Sequence, residues 1–300
     1  MINKFIKQSL LTEFYSKLGN NEIQSMYLSF PIKKRNGKTR WISAPDETLK
    51  QIQKSILHNI LYKFKPHKCC VGFTPGKGIK EGASRHLNSA SVLNIDIKDF
   101  FHSVPKQEIS KVLLKSTLWL LRQSHKNPSD IEKNFIEELF NLVTVNNHLP
   151  QGAPTSPYLS NLAFFPIDCT LYRYSNLHNL VYTRYADDLS FSSKDKKVDM
   201  YRPLQEIIIL LRNHGYKINN TKTRIQRKHK QMTVTGVVVN KVTSVPKWKR
   251  KNIRAAIHNY SVKGIPISEK EKERLVGYCE WINQLNSDHG KKLKEKAILL

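Results

Sequence analysis

Apolar residues at Leu49, Ile52, Ile56, Leu57, Ile60, Leu61 and Phe64 recur at the period of an α-helix. Pro45 and Asp46 stand at its start, with Asp46 as the N-cap. Just upstream, "LSFPIKKRNGKTRWIS" (28–43) alternates as two short strands around Arg35-Asn36-Gly37-Lys38, where Asn-Gly predicts a tight hairpin turn. In "SVLNIDIKDFFHSVP" (91–105), Leu93, Ile95 and Ile97 alternate with Asn94 and Asp96, which predicts a strand with its apolar trio toward a core and Asp96 on the other surface. "VYTRYADDLSFSS" (181–193) reads as two strands with Asp187 and Asp188 between them. Farther on, Met232 to Asn240 reads as one strand. Ser268 and Glu271 form a capping box ahead of Leu275, Ile282 and Leu285, so the last third is expected to be mostly helical. No fixed-period repeat, low-complexity tract or linker interrupts the pattern, which predicts one architecture with subdomains.

The acidic positions need an explanation that the hydrophobic pattern does not supply. If the strand ending at Asp96 lies beside the 181–193 hairpin, Asp96 and Asp187 converge with Asp188 next to them. Three carboxylates brought together repel unless they hold divalent metal. Mg²⁺ binds carboxylates together with phosphate oxygens and water, and paired ions about 3.5–4 Å apart stabilise both oxygens of a phosphoryl transfer.

Charge sharpens this reading. The chain has 300 residues, 39% of them hydrophobic, with 50 Lys and Arg against 24 Asp and Glu, for a net charge of +26. An excess spread along the whole length points to a polyanionic partner, of which nucleic acid is the commonest; a solvated basic surface or an anionic membrane are the other readings. No apolar run approaches the roughly 20 residues that span a bilayer, and Lys4 and Lys7 with their polar neighbours do not resemble a signal peptide, so the cytoplasm is expected and no membrane partner. Cys69, Cys70, Cys169 and Cys279 form no C-x-x-C pair and suggest neither a zinc site nor a disulfide framework. A basic exterior around an acidic metal site is the charge plan of an enzyme acting on nucleic-acid phosphates, and nucleases and polymerases share it.

Tyr185-Ala186-Asp187-Asp188 resembles the Y-x-D-D box of reverse transcriptases, and Asp96 with Phe101 resembles their first catalytic motif. "LPQGAPTSPYLSN" (149–161) resembles the intervening Q-G-x-x-x-S-P motif, "GYKINNTKTR" (215–224) the motif that follows, and Arg40-Trp41-Ile42-Ser43-Ala44-Pro45 the fingers signature. These matches run in the family's order from about Ser29 to Arg224. The resemblance implies an α+β right-hand polymerase: fingers, a palm of antiparallel sheet with packed helices, and a short, mostly helical thumb. The expected division is residues 1–90 for the N-terminal helix and fingers, 91–230 for the palm with fingers elements interleaved, and 231–300 for an RNA-binding thumb.

It also implies roles. Asp96, Asp187 and Asp188 would be catalytic and bind two Mg²⁺ ions (Mn²⁺ as a substitute), with the backbone carbonyl of Ile97 as a further ligand. Phe101 would lie under the incoming sugar, where a ring leaves no room for a 2′-hydroxyl. Arg40, with Lys38 or Lys34, would clamp the triphosphate. Gln151 and Gly152 would line the nascent base pair, and Lys222 would serve the pyrophosphate leaving group; a solvated charge is the other reading of that lysine.

Val234-Thr235-Gly236, and the A-x-x-H spacing of Ala83 and His86, resemble marks of retron reverse transcriptases, although Gly82 stands where that subgroup usually has Asn. A buried core histidine is the other reading of His86. The retron resemblance implies a cognate structured noncoding RNA copied into branched, RNA-linked single-stranded DNA, with dNTPs as substrates and an effector protein of an antiphage defence system as partner. No RNase H, endonuclease or maturase domain is expected after the thumb, since only about 60 residues follow Asn240, and this argues against the rival group II intron-like reading. A non-catalytic RNA-binding protein would account for the charge and not for the acidic residues. Val234, Thr235 and Gly236, with Lys247, Lys249, Arg250 and Arg254 beside Trp248, are the expected RNA contacts.

Overall fold

The structure, a computed structural model, describes residues 6–19, 22–34, 37, 39–123, 135–262 and 265–300. Two compact units are each assembled from separated segments of the chain.

The first unit draws on Met1–Thr74, Ile97–Leu171 and Ile209–Ile218. It holds α1 (Gln8–Leu18), the antiparallel pair β1 (Tyr27–Lys33) and β2 (Thr39–Pro45), and α2 (Glu47–Asn59). The expected helix forms because the Asp46 side chain accepts from the Leu49 N–H, satisfying one of the donors a helix start leaves open. Leu49, Ile52 and Ile56 of α2 are buried in one core with Ile109 and Leu113 of the later helix α5 (Lys106–Gln123) and Leu139 and Phe140 of α6 (Phe135–Val143). Each fully buried aliphatic side chain contributes about 1.5–3 kcal/mol. The β1–β2 hairpin stands largely exposed and shows Leu28, Ile32 and Trp41 to solvent. Of its expected turn, Arg35, Asn36 and Lys38 lie outside the described residues.

The second unit draws on Pro75–Asp96, Tyr172–Ile208 and Asn219–Leu300. α3 (Ile79–Ser84) leads into β3 (Ser91–Asp96). The helices α4 (Phe100–Ser103), α5 (Lys106–Gln123), α6 (Phe135–Val143) and α7 (Ser156–Ala163) follow in the first unit, and α8 (Phe165–Leu177) continues into the second. Then come β4 (Val181–Tyr185), β5 (Asp188–Ser193), α9 (Tyr201–Asn213), β6 (Arg224–Arg227), β7 (Thr233–Val234), β8 (Val237–Val238), α10 (Lys247–Ser261), α11 (Glu269–Leu285) and α12 (Ser287–Ile298). The central sheet is antiparallel throughout, in the order β4-β5-β3-β6. One face carries Leu93, Ile95, Leu189 and the stacked cross-strand pair Tyr182 and Phe191, with ring centroids 4.6 Å apart. The opposite face is polar but not open surface. Val92 on it is fully buried, and Asp96 is only 5% exposed.

Two sequence expectations change here. Met232 to Asn240 is not one strand: Thr235 and Gly236 both take positive φ (48° and 79°), which folds the segment into the tight β7–β8 hairpin. At α11 the capping box is modified. Ser268 Oγ accepts from the Glu271 N–H, while Ser268 donates to the Glu271 carboxylate. The helices α10 to α12 bury Ile253, Ile257, Leu275, Ile282 and Leu285 in one core with Val234, Val237 and Val92. The four cysteines, all among the described residues, form no disulfide, and Cys69 Sγ lies 3.0 Å from His67 Nδ1, a histidine contact not expected from the sequence. Among the described residues no helix is long and apolar enough to cross a membrane.

His86, just after α3, ties the sheet from its polar face. Its Nδ1 lies 2.7 Å from Ser192 Oγ on β5 and its Nε2 2.7 Å from Thr183 Oγ1 on β4. A neutral imidazole donates from one nitrogen and accepts at the other, and hydroxyls can match either role. Burial, reinforced by the Arg85 charge, pushes its pKa down to about 3. The unfolded chain takes up that proton near pH 6.5, so acid favours unfolding, by up to about 1.4 kcal/mol per pH unit below that point. The urea midpoint of the wild type should therefore fall more between about pH 7 and pH 5 than that of His86→Asn. Equal falls would contradict a buried neutral histidine.

Candidate functional site

The acidic pocket is built by strand register. β3 and β5 pair antiparallel so that Asp96 stands directly opposite Asp188, and β4 and β5 pair so that Tyr185 closes the hairpin against Asp188. The turn between them is only Ala186 and Asp187. Ala186 adopts φ +52°, in the left-handed region that a non-glycine residue rarely visits. The buried Arg184 supports it by donating from Nη1 to the Ala186 carbonyl at 3.1 Å. Asp96, Asp187 and Asp188 line one pocket of about 310 Å³ with Asn94, Lys222 and Arg224.

Like charges directly opposite each other on neighbouring strands destabilise a sheet. Their effect is visible on Asp188, whose carboxyl is pushed up to about 6, first by burial and then by Asp187 and Asp96, against the weaker pull of Lys222 and Arg224. Asp96 is compensated differently: Lys222 Nζ donates to its Oδ2 at 2.7 Å. The same bond, with the charges of all three carboxylates, raises the Lys222 pKa. Lys222 is thus not merely solvated. Its loop is pinned by the strand it serves, because the Asn219 N–H donates to the Asp96 carbonyl at 2.7 Å while the Asn219 carbonyl accepts from the N–H groups of Lys222 and Thr223.

Thr235 and Gly236, at the β7–β8 turn, line the same pocket. The hairpin is fixed by Asn94 Nδ2 donating to the Thr233 carbonyl at 2.9 Å and by the Thr233 N–H donating to Gln226 Oε1 at 2.7 Å. Val234 is 1% exposed, and its side chain packs in the apolar cluster with Val237, which leaves only its backbone for the RNA contact expected of this segment.

Among the described residues, no three acidic, histidine or cysteine side chains form a ready-made metal cage. Asp96 is engaged by the Lys222 ammonium instead. The donor set nevertheless suits a hard cation. It is all carboxylate oxygen, gathered where burial and the neighbouring Asp187 and Asp96 raise the Asp188 pKa.

The remaining candidates sit in the first unit or on α10. Ile97 is buried and bridges Ile218. Arg40 is exposed on β2, and Lys38 lies outside the described residues. Phe101 is half-buried on α4, packed against the unit's core and tilted 49° to Phe100. The Gln151 carbonyl accepts from the Ser43 N–H at 2.8 Å. Gly152 follows at φ +138°, where an added Cβ would stand 2.7 Å from the Ser43 carbonyl oxygen. On α10, Lys247, Trp248 and Arg254 are exposed, and Lys249 Nζ lies 4.7 Å above the Trp281 ring. Arg250 is turned inward, donating from Nη1 to Ser244 Oγ at 3.1 Å and lying 2.7 Å from His289 Nδ1, so its guanidinium is held within the protein.

The reverse transcriptase (RNA-dependent DNA polymerase) family matches residues 32–239. The retron Mx65 reverse transcriptase of Myxococcus xanthus is 31% identical over 280 residues, covering 90% of this chain and 64% of its own length. The retron Mx162 reverse transcriptase of the same organism is 33% identical, with 88% and 59% covered. The retron Ec86 reverse transcriptase of Escherichia coli is 30% identical, with 87% and 81% covered. The chain thus belongs to the reverse transcriptase family, and within it to the retron type. It spans 64% and 59% of the two Myxococcus relatives. Solved telomerases share its fold: that of Candida albicans in complex with a telomeric RNA fragment matches with a TM-score of 0.51 at 14% identity, over 96% of this chain and 61% of that one. A truncated Candida tropicalis telomerase matches at 0.50 and 13%, over 77% and 58%. The fold is the α+β fold of a reverse transcriptase.

Gly152→Ala should destabilise the protein by about 1–3 kcal/mol, since it adds backbone strain to the collision with Ser43. Gly277→Ala, in an open position on α11 with nothing within 4 Å of the added carbon, should instead stabilise it by about 0.5–1 kcal/mol. Chemical denaturation of both variants checks the pair; equal effects would contradict the close approach at Gly152.

Proposed function

We propose that this protein is an RNA-directed DNA polymerase of the retron type, acting by nucleotidyl transfer at the pocket of Asp96, Asp187 and Asp188. The observation that carries this reading is the register that sets Asp96 opposite Asp188 with Asp187 in the adjoining turn, inside a chain of net charge +26. Asp96, Asp187 and Asp188, with the Ile97 carbonyl, would hold two Mg²⁺ ions, which when bound supply charge neutralisation and Lewis acidity at the reacting phosphate.

The chain's own residues supply the rest. Lys222, kept protonated by its bond to Asp96, gives a proton or its charge to the departing pyrophosphate in this reading. Arg40, with Lys38, offers planar and point-charge donors to a triphosphate. Phe101 lies under the sugar of the dNTP and discriminates against a 2′-hydroxyl by volume. Gln151 and Gly152 present backbone to the nascent base pair, which the lack of a side chain at Gly152 permits. The rigid turn of Thr235 and Gly236 presents backbone to a nucleic-acid strand at the pocket. Lys247, Lys249 and Arg254, with Trp248, contact RNA phosphates and bases, whereas Arg250 contributes by ordering α10.

In this reading residues 1–90 are fingers, 91–230 palm and 231–300 thumb. The template is a cognate structured noncoding RNA, and the product is branched, RNA-linked single-stranded DNA. An effector protein of an antiphage defence system is the partner, and the setting is the cytoplasm. The similarity to retron reverse transcriptases supports the RNA-templated DNA synthesis in this reading.

Primer extension on the cognate RNA with dNTPs and Mg²⁺ tests the reading. Asp187→Asn and Asp188→Asn should each lower DNA synthesis by at least about a hundredfold while leaving RNA binding near the wild-type value. Full synthesis by both variants would overturn it.

A further inference from the structure

A second cavity, of about 390 Å³, opens in the first unit among the residues before α5, α5 itself, the end of α7 and the start of α8. Its walls are Phe64, Val112, Leu162 and Phe165. Lys63, Lys65, Lys111 and Lys115 also line it, with Glu108 as its one acidic residue. None of these residues belongs to the acidic pocket.

The aromatic walls are held in place. The Phe64 carbonyl accepts from Tyr158 Oη at 2.8 Å, and the Phe64 ring meets Trp119 edge-on at 6.1 Å. His67 packs edge-on against Phe165 at 5.7 Å, while Phe165 itself remains 40% exposed. The rim is unbalanced in charge. Of its four lysines only Lys111 is in an ion pair among the described residues, with Glu108 at 2.6 Å. Lys115 Nζ instead lies over the Phe64 ring at 5.9 Å, at the edge of the apolar wall.

We propose that this cavity docks a polypeptide segment of a partner protein that inserts one bulky apolar side chain between Phe64 and Phe165 and sets carboxylates against the lysines. The apolar walls and the volume suit one aromatic or branched aliphatic anchor, the kind of residue that dominates protein interfaces. The lysine rim repels itself until anions approach, so an acidic segment is both attracted from a distance and bound on contact. A nucleic-acid strand would satisfy the rim but not the walls, because the polar edges of a base would lose water there without gaining hydrogen-bond partners.

The probe is a fluorescein-labelled peptide with one tryptophan between two runs of aspartate, followed by anisotropy. Its controls carry serine for the tryptophan or asparagine for the aspartates. Wild-type protein should bind the parent peptide at least about tenfold more tightly than either control. Val112→Trp, which fills the cavity, and the exposed triple variant Lys63→Glu, Lys65→Glu, Lys115→Glu should each weaken parent binding by at least about tenfold. Val112→Trp should leave polyuridylate binding unchanged. Parent binding that matches the serine control, or that survives the triple variant, would overturn the proposal. So would a Val112→Trp variant that loses polyuridylate as strongly as peptide, since the occupant would then be nucleic acid.

Discussion

The antiparallel pairing of β3 with β5 is the constraint on which the acidic site depends. A sheet has a side-chain period of two, so a one-residue slip would send Asp188 to the apolar face and Leu189 to the pocket. Several groups hold the register. Leu93 and Ile95 on one strand, with Leu189 and Phe191 on the other, fill the apolar face. Ser190 donates to Asn94 Oδ1 at 2.8 Å on the polar face, and His86 joins β4 to β5 from that side. The cost of two opposed carboxylates is carried by this scaffold, and Lys222 offsets part of it.

The strained turn belongs to the same economy. Holding Ala186 at positive φ costs on the order of 1–3 kcal/mol, and such strain persists where the surroundings over-determine it. Arg184 supplies that restraint from within the sheet, at the Ala186 carbonyl. A two-residue loop leaves Asp187 no slack relative to Asp188, so the positions of both acids follow from strand pairing rather than from a loop's choice. The β7–β8 hairpin repeats the device with Thr235 and Gly236, and both rigid turns face one pocket.

Much of this was legible in the residues. The 28–43 hairpin, the Asp46 cap and the helices of the last third follow from local chemistry that acts within a few residues, and the reverse transcriptase motifs carried the family. Other features arise from contacts distant in sequence. The Met232–Asn240 segment has the apolar content of one strand, and only the backbone at Thr235 and Gly236 reveals the reversal. Lys222 is one cation among many in a basic chain; what distinguishes it is Asp96, more than a hundred positions earlier. Arg250 read as an RNA contact because its neighbours are basic, yet Ser244 and His289 draw it inward. Val234 carries the resemblance to a retron mark and is nonetheless a core residue.

The central claim is that Asp96 and Asp188 are opposed at an electrostatic cost that a bound cation removes. The direct measurement is chemical denaturation at about pH 8 of the wild type and Asp188→Asn, each in EDTA and in Mg²⁺. In EDTA the Asp188 carboxyl is ionised above its raised pKa of about 6, so Asp188→Asn should be the more stable protein. The gain should reach up to about 2–3 kcal/mol, shrink as the pH falls below about 6, and vanish below about pH 4, where the wild-type carboxyl becomes protonated in both folded and unfolded chains. Mg²⁺ should stabilise the wild type and close the gap, with little effect on the variant. An Asp188→Asn protein less stable than the wild type in EDTA, or an equal response of both to Mg²⁺, would contradict the account.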